Sequence, residues 1–248
     1  MERVSPETLF FASPGKLTLY MHLFYAPNAR EGIFDLPDEE SHHLFHVLRL
    51  RVGESVEVTD GSGGLYACEV HRVGKQGVQL QTLSSSFVPP PARKLHIGVA
   101  ATKNADRLEW FTEKAVEMGV QRITPLLCQR SERKQVNTER LQKIIVAAAK
   151  QSRHFYFPSL DPMTSLDAFV SMPHSSPLYI AYCSEGSRRP LGELCTLPTA
   201  TVLIGPEGDF SKEEIDAFLS VGALGLSLGD ARLRTETAAL KAVAAFNL

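Results

Sequence analysis

Near the carboxyl end of this chain, Arg232, Arg234, Thr235, Glu236 and Thr237 crowd the start of a small-residue helix expected over Ala238 to Phe246. Thr235 is placed to cap that helix, and Glu236 suits the positive end of its dipole. Two arginines at the same end are electrostatically unfavourable, so Arg234 calls for a negative partner, either Glu236 or a group brought by a ligand. A fixed cation beside a carboxylate can hold a developing anion and take up a proton, the pairing that acid–base chemistry requires. A plain helix start would use the same carboxylate for its dipole alone.

The elements that must position these residues form one device used twice. An apolar run, Thr201 to Ile204 and again Leu224 to Leu228, stops at a glycine-bearing turn and passes into a helix. Runs without polar alternation read as strands buried on both faces, as in a parallel sheet covered by helices. Ligands of such sheets sit beyond the carboxyl ends of the strands, which makes Gly205-Pro206-Glu207-Gly208 and Gly229-Asp230-Ala231-Arg232 the candidate binding turns. An ordinary strand-to-helix connection would also account for the first. In that turn Pro206 presets φ and Gly208 frees the exit. Ser211 and Glu214 have capping-box spacing, with Phe210 and Ile215 as the staple, for a helix from Lys212 to about Val221 ending at Gly222.

Gly205-Pro206-Glu207-Gly208, followed by Leu228-Gly229 and Leu233-Arg234-Thr235-Glu236-Thr237-Ala238, resembles the paired signature of the RsmE family. These are bacterial 16S rRNA uridine N3 methyltransferases of the SPOUT, or knotted α/β, class. The resemblance extends from Met21 onward and includes His43 to Arg49 and Glu117-Met118-Gly119-Val120. It implies a C-terminal parallel-sheet domain tied in a trefoil knot, S-adenosylmethionine (AdoMet) bound in the knot's loops, a preceding small PUA-like β-barrel that binds RNA, and a homodimer with the site at the subunit boundary. Asp209 stands where many relatives have a second glycine, and Ala231-Arg232 where many have arginine followed by an aliphatic residue.

Under that resemblance the loops carrying Ile204, Gly205, Pro206, Glu207 and Gly208, and Ser227, Leu228 and Gly229, would grip the donor, with Leu233 and Thr237 beside them and no metal required. Methyl transfer to uracil N3 is an in-line displacement in which the N3 proton must leave, so alignment and stabilisation of the uracil anion are the main tasks. Arg234 is the expected stabiliser and Glu236 the candidate proton acceptor. Lys103 and Arg107 could hold substrate phosphate. The target base must be unstacked to be reached.

Length and composition, 248 residues with 44% hydrophobic and 22% charged, fit one large or two modest domains. Cys68, Cys128, Cys183 and Cys195 lack metal-ligand spacing, which points to reduced thiols, a cytoplasmic location and neither disulfides nor structural zinc. No apolar run reaches the roughly 20 residues of a membrane span. Met1 to Tyr20 reads as a dispensable extension. From Met21 to Val88 short β-runs dominate, at Ser55 to Thr59, Leu65 to Val73 and Gly77 to Leu83, with an Asp-Gly hairpin signal at Asp60-Gly61. The glycine-rich stretch Asp60 to Gly64 has no helix after it, so it fails as a dinucleotide loop. His42 and His46, one turn apart, could bind a metal, but the sequence offers no convincing third ligand.

Ser84-Ser85-Ser86 and Pro89-Pro90-Pro91 mark the expected boundary, giving a β-barrel over 21–88 and a methyltransferase domain over 89–248. The barrel has five basic against nine acidic residues, net −4, whereas Gln121 to Phe157 has eight basic against two acidic, net +6. With His154, Phe155, Tyr156 and Phe157 following, Arg130, Arg133, Lys134 and Arg153 read as an RNA track, and Arg49 and Arg51 as further phosphate contacts. A solvated helix face is the other reading of that run. After the boundary come strands Leu95 to Ala100, Ile123 to Cys128 and Leu178 to Tyr182, helices Ala105 to Met118 and Thr138 to Ser152, and a third loop, Cys183-Ser184-Glu185-Gly186, that could approach the cofactor. Alternation of this kind means α/β with a mainly parallel sheet. An RNA-binding scaffold without catalysis is the alternative function, separated from the enzyme by AdoMet affinity. A metabolic nucleotide enzyme is disfavoured by the lack of Walker A, G-x-G-x-x-G and G-x-S-x-G motifs.

Overall fold

A computed structural model describes residues 22–74, 77–183 and 186–248. The expected extension over Met1 to Tyr20, and Ser184 and Glu185 of the third loop, lie outside the described residues. In chain order the elements are β1 (Leu23–Tyr25), β2 (Ile33–Asp35), α1 (Asp38–His42), β3 (Ser55–Thr59), β4 (Gly64–Gly74), β5 (Gly77–Phe87), β6 (Lys94–Ala100), α2 (Ala105–Glu117), β7 (Arg122–Leu127), α3 (Thr138–Gln151), β8 (Ser159–Leu160), β9 (Thr164–Ser165), α4 (Leu166–Val170), β10 (Leu178–Ala181), β11 (Arg189–Pro190), β12 (Thr199–Ile204), α5 (Lys212–Ser220), β13 (Leu224–Ser227) and α6 (Thr235–Phe246).

The N-terminal strands form a five-stranded sheet in the order β1-β3-β4-β5-β2. Phe24 of β1 and Phe34 of β2, from its two ends, share one core with Leu44, Val56, Val58 and Leu80, so the sheet curls round on itself. Ser84, Ser85 and Ser86 pair with β4 inside β5 and are not linker, as their position before the prolines had suggested. Their polar side chains are exposed, which is why the stretch reads as loop. His43–Val47 forms a π-helical turn, and the rings of His42, at the end of α1, and His46 lie 4.7 Å apart, tilted by 36°.

The C-terminal sheet is parallel throughout and runs β11-β13-β10-β12-β6-β7-β8, with β9 continuing beside β7. Burial on both faces explains the unalternating strands. Ala200, Val202 and Ile204 of β12 pack with α2, α3 and α6, while Leu203 packs toward Phe210, Ile215 and Phe218 on the other face. Local signals set the helix ends. The Asn104 and Asn137 side chains accept from Asp106 and Arg140 N–H at 3.0 Å each, and the Ser211–Glu214 capping box forms as its spacing predicts. Gly119 and Gly222, at φ +84° and +90°, close α2 and α5 in the left-handed conformation.

Much of the basic stretch expected to track RNA lies instead against the first domain. Lys150 pairs with Glu40, Lys143 with Glu39, and Arg153 with Glu57 at 2.7 Å. The glycine-rich turn meets the aromatic segment directly. Gly63 N–H donates to Phe155 O, and Phe157 N–H to Gly61 O, both at 2.9 Å, while Tyr25 and Phe157 pack ring to ring at 4.7 Å. A Cβ on Gly63 would lie 2.3 Å from the Tyr156 hydroxyl, so this close approach requires glycine. Three cations of the basic segment thus meet three carboxylates of the acidic domain across the boundary. Among the described residues no helix is long and apolar enough to cross a membrane.

Candidate active site

Parallel strands bring the loops after β13, β10, β12, β6 and β7 to one end of the sheet in that lateral order. The β12 turn is held by its own backbone, with Asp209 N–H donating to Pro206 O at 2.9 Å. Gly205 is pressed against Phe210, and a Cβ there would come within 3.0 Å of the Phe210 ring. In the β13 turn Gly229 sits at φ +98°, a conformation suited to glycine, and its N–H donates to Ser227 Oγ at 3.3 Å. Ile204 is buried at the end of β12, and Leu228 and Leu233 pack against the sheet core.

The two turns are joined by one hydrogen bond. Thr235, expected to cap α6, is already its first residue, with Arg234 at the cap position and no side-chain cap bond. Its Oγ1 donates instead to the Gly205 carbonyl at 3.0 Å. Sequence spacing could not distinguish these uses, because the Gly205 carbonyl reaches the helix only through the fold. The small residues Ala238, Ala239 and Ala242 are buried as α6 lies against β6, β12 and α2.

Charges gather where the turns meet. Glu236 is 7% exposed, and its Oε2 has no hydrogen-bond partner among the described residues. Its Oε1 lies 3.7 Å from Arg107 Nε, and Arg107 also reaches Glu207 Oε1 at 3.9 Å. Of the two partners expected for Arg234, Glu236 pairs instead with Arg107, and Arg234 is exposed and in no ion pair among the described residues, which leaves the ligand group. Thr237 is exposed one residue further. Lys103 donates its N–H to Glu207 Oε1 at 3.2 Å and pairs through Nζ with Glu132 at 2.9 Å.

Two arginines of the expected RNA track brace the loops. Arg130 donates to Gly208 O at 2.8 Å and Phe210 O at 3.3 Å, and Arg133 to Thr102 O at 3.2 Å and Lys103 O at 3.1 Å. Lys134, Arg49 and Arg51 remain exposed. Arg153 is on the domain interface described above. A cleft of about 900 Å³ adjoins the β12 turn, with Tyr182, Asp209, Phe210 and Gly225 in its walls. A cavity of about 920 Å³ between the domains is lined by none of the signature residues.

Against known proteins, residues 89–247 match the RNA methyltransferase domain and residues 36–83 the RNA methyltransferase PUA domain. The ribosomal RNA small subunit methyltransferase E of Synechocystis is 30% identical over 226 residues, covering 88% of this chain and 73% of the relative. The chain belongs to the ribosomal RNA small subunit methyltransferase E family. Two solved structures extend the likeness to most of the methyltransferase E fold. A probable rRNA-methyltransferase from Porphyromonas gingivalis superposes with a TM-score of 0.82 at 33% identity, covering 90% of this chain and 95% of its own. A ribosomal RNA small subunit methyltransferase E from Neisseria gonorrhoeae, bound to S-adenosyl methionine, gives 0.77 at 27% identity, covering 91% and 96%. As a member of this family the chain is an RNA methyltransferase with an N-terminal PUA-like domain.

Proposed function

We propose that the chain methylates N3 of a uridine in the 16S rRNA of the small ribosomal subunit, with AdoMet as donor. The observation that carries this reading is the Thr235–Gly205 bond, which sets both signature turns side by side with Glu236 and Arg234 at their junction. The residues present fit the donor: Gly205 and Gly229 put no side chain at either turn, and a Cβ at Gly205 would press into the turn itself. Ile204 to Gly208, Ser227 to Gly229, Leu233 and Thr237 would hold it, and it supplies a methyl group on a sulfonium.

The chain's own residues then do the following. Glu236 takes the uracil N3 proton on its free carboxylate oxygen while Arg107 holds the other oxygen in place. Arg234, exposed and uncommitted within the described residues, approaches the uracil oxygens and stabilises the anion that remains. The N3–H bond breaks as its proton passes to the Glu236 carboxylate, and the N3–CH3 bond would form as the donor's S–CH3 bond breaks and its sulfur is left as a neutral thioether. Exposed Lys134, Arg49 and Arg51 are the phosphate contacts left to RNA once Arg130, Arg133 and Arg153 are assigned to the fold. The reading includes a trefoil threading of the chain through the β12 and β13 loops, and a cytoplasmic homodimer with the site at the subunit boundary.

The test is transfer of labelled methyl from AdoMet to small subunits lacking the modification, beside protein-free 16S rRNA, followed by nucleoside analysis. N3-methyluridine is the expected product. A different methylated nucleoside would move the target base, and AdoMet binding without transfer to either substrate would move the target RNA.

A further inference from the structure

Asp209 follows the first turn directly, and its backbone N–H closes it on Pro206 O. It sits at φ +61°, in the left-handed region where glycine is the ordinary occupant and aspartate one of the few tolerated substitutes. Its carboxylate is used twice. Oδ1 accepts from the Phe210 N–H at 2.8 Å, within the turn. Oδ2 accepts from the Cys183 N–H at 2.9 Å, on the loop that follows β10.

The position of β10 gives the second bond its meaning. This strand lies between β12 and β13, so its loop leaves the sheet between the two signature turns, and anything held by both turns must lie beside it. The β12 turn is itself braced on its far side by Arg130, through Gly208 O and Phe210 O. Arg188 Nη1 fixes the β10 loop once more by donating to Tyr182 O at 3.1 Å. The loops after β7, β12 and β10 are thereby linked in series, with Asp209 as the joint between the last two.

We propose that Asp209 is a positioning residue that holds Cys183, at the exit of β10, against the donor pocket and so sets AdoMet affinity, an inference that rests on the donor reading above. A carboxylate accepting a backbone N–H makes a charge-assisted bond stronger than a neutral one. Glycine at 209 keeps the backbone conformation and removes both bonds. Cys183 must then be positioned at the moment of binding, which weakens affinity without touching the reacting groups.

The experiment compares wild type, Asp209→Gly and Asp209→Asn in the full chain by calorimetric titration with AdoMet, together with kcat and the RNA KM. Glycine relieves any strain at this φ, so folding is preserved. The expected result is an AdoMet Kd raised on the order of tenfold in Asp209→Gly, as loss of one charge-assisted bond implies, with the RNA KM and kcat within about twofold. Asparagine, which keeps one acceptor oxygen, should fall between. An Asp209→Gly Kd within about twofold of wild type, or an equal rise in the RNA KM, overturns the positioning role while leaving the donor reading intact. A wild-type chain that takes up no AdoMet overturns the donor reading and the inference together.

Discussion

The Thr235 hydroxyl donates a 3.0 Å hydrogen bond to the Gly205 carbonyl oxygen, and Thr235 is only 4% exposed. Thr235→Val keeps the shape and leaves that carbonyl without its partner. We expect a loss of about 1–3 kcal/mol in urea unfolding together with weaker AdoMet binding. Thr235→Ser, which keeps the donor, should restore most of both.

Arg234→Ala removes an exposed side chain with no ion pair among the described residues, so stability should change by less than about 0.5 kcal/mol. If Arg234 meets the uracil anion, kcat falls by about 10² to 10³ with AdoMet affinity unchanged. Single-turnover methylation measures this, and a rate within a few-fold of wild type would remove Arg234 from the mechanism.

The domain interface separates a buried from an exposed ion pair. Side chains of Lys150 and Glu40 are 20% and 10% exposed, those of Lys143 and Glu39 61% and 73%. Lys150→Ala strands a buried carboxylate and should cost about 3–5 kcal/mol, whereas Lys143→Ala should cost at most about 1 kcal/mol. Denaturant titration of both variants, followed by a probe in each domain, checks the contrast.

His96 gives a pH signature. Burial pushes its imidazole down to about 4, Arg122 acts in the same direction, and Asp161 opposes them. The Thr124 hydroxyl donates to Asp161, so in the 2.7 Å contact between His96 Nε2 and Thr124 Oγ1 the ring nitrogen is the donor, a bond that the neutral Nε2–H tautomer makes without a charge. The unfolded chain, at the ordinary value near 6.5, binds more protons than the folded one between the two values. Stability therefore declines as pH falls from about 6.5 to about 4, by at most about 3 kcal/mol from this group. Unfolding free energies across that window should fall more steeply for wild type than for His96→Gln.

Sequence legibility followed the range of the interaction. The Ser211–Glu214 box and the staple of Phe210 with Ile215 are encoded within six residues, and all four positions appear as expected. The charge run of Lys143, Lys150 and Arg153 was visible, but its partners Glu39, Glu40 and Glu57 lie about a hundred positions earlier, and nothing local names them. Thr235 and Glu236 were recognisable as special through the family signature. Their actual partners are Gly205, in the turn after β12, and Arg107, on α2, so roles inferred from helix-start chemistry missed both contacts.

The strand order also bears on how the molecule opens. β13 lies between β10 and β11, both earlier in the chain, so the short edge strand β11 has nothing to pair with in this sheet until β13 is in place. Release of β13 would free β11 and loosen the Leu228 to Leu233 turn in the same event. Amides at these positions should then share one protection factor in native-state hydrogen exchange, as members of a single cooperative unit. Donor binding, by tightening that turn, would slow exchange at β11 as well.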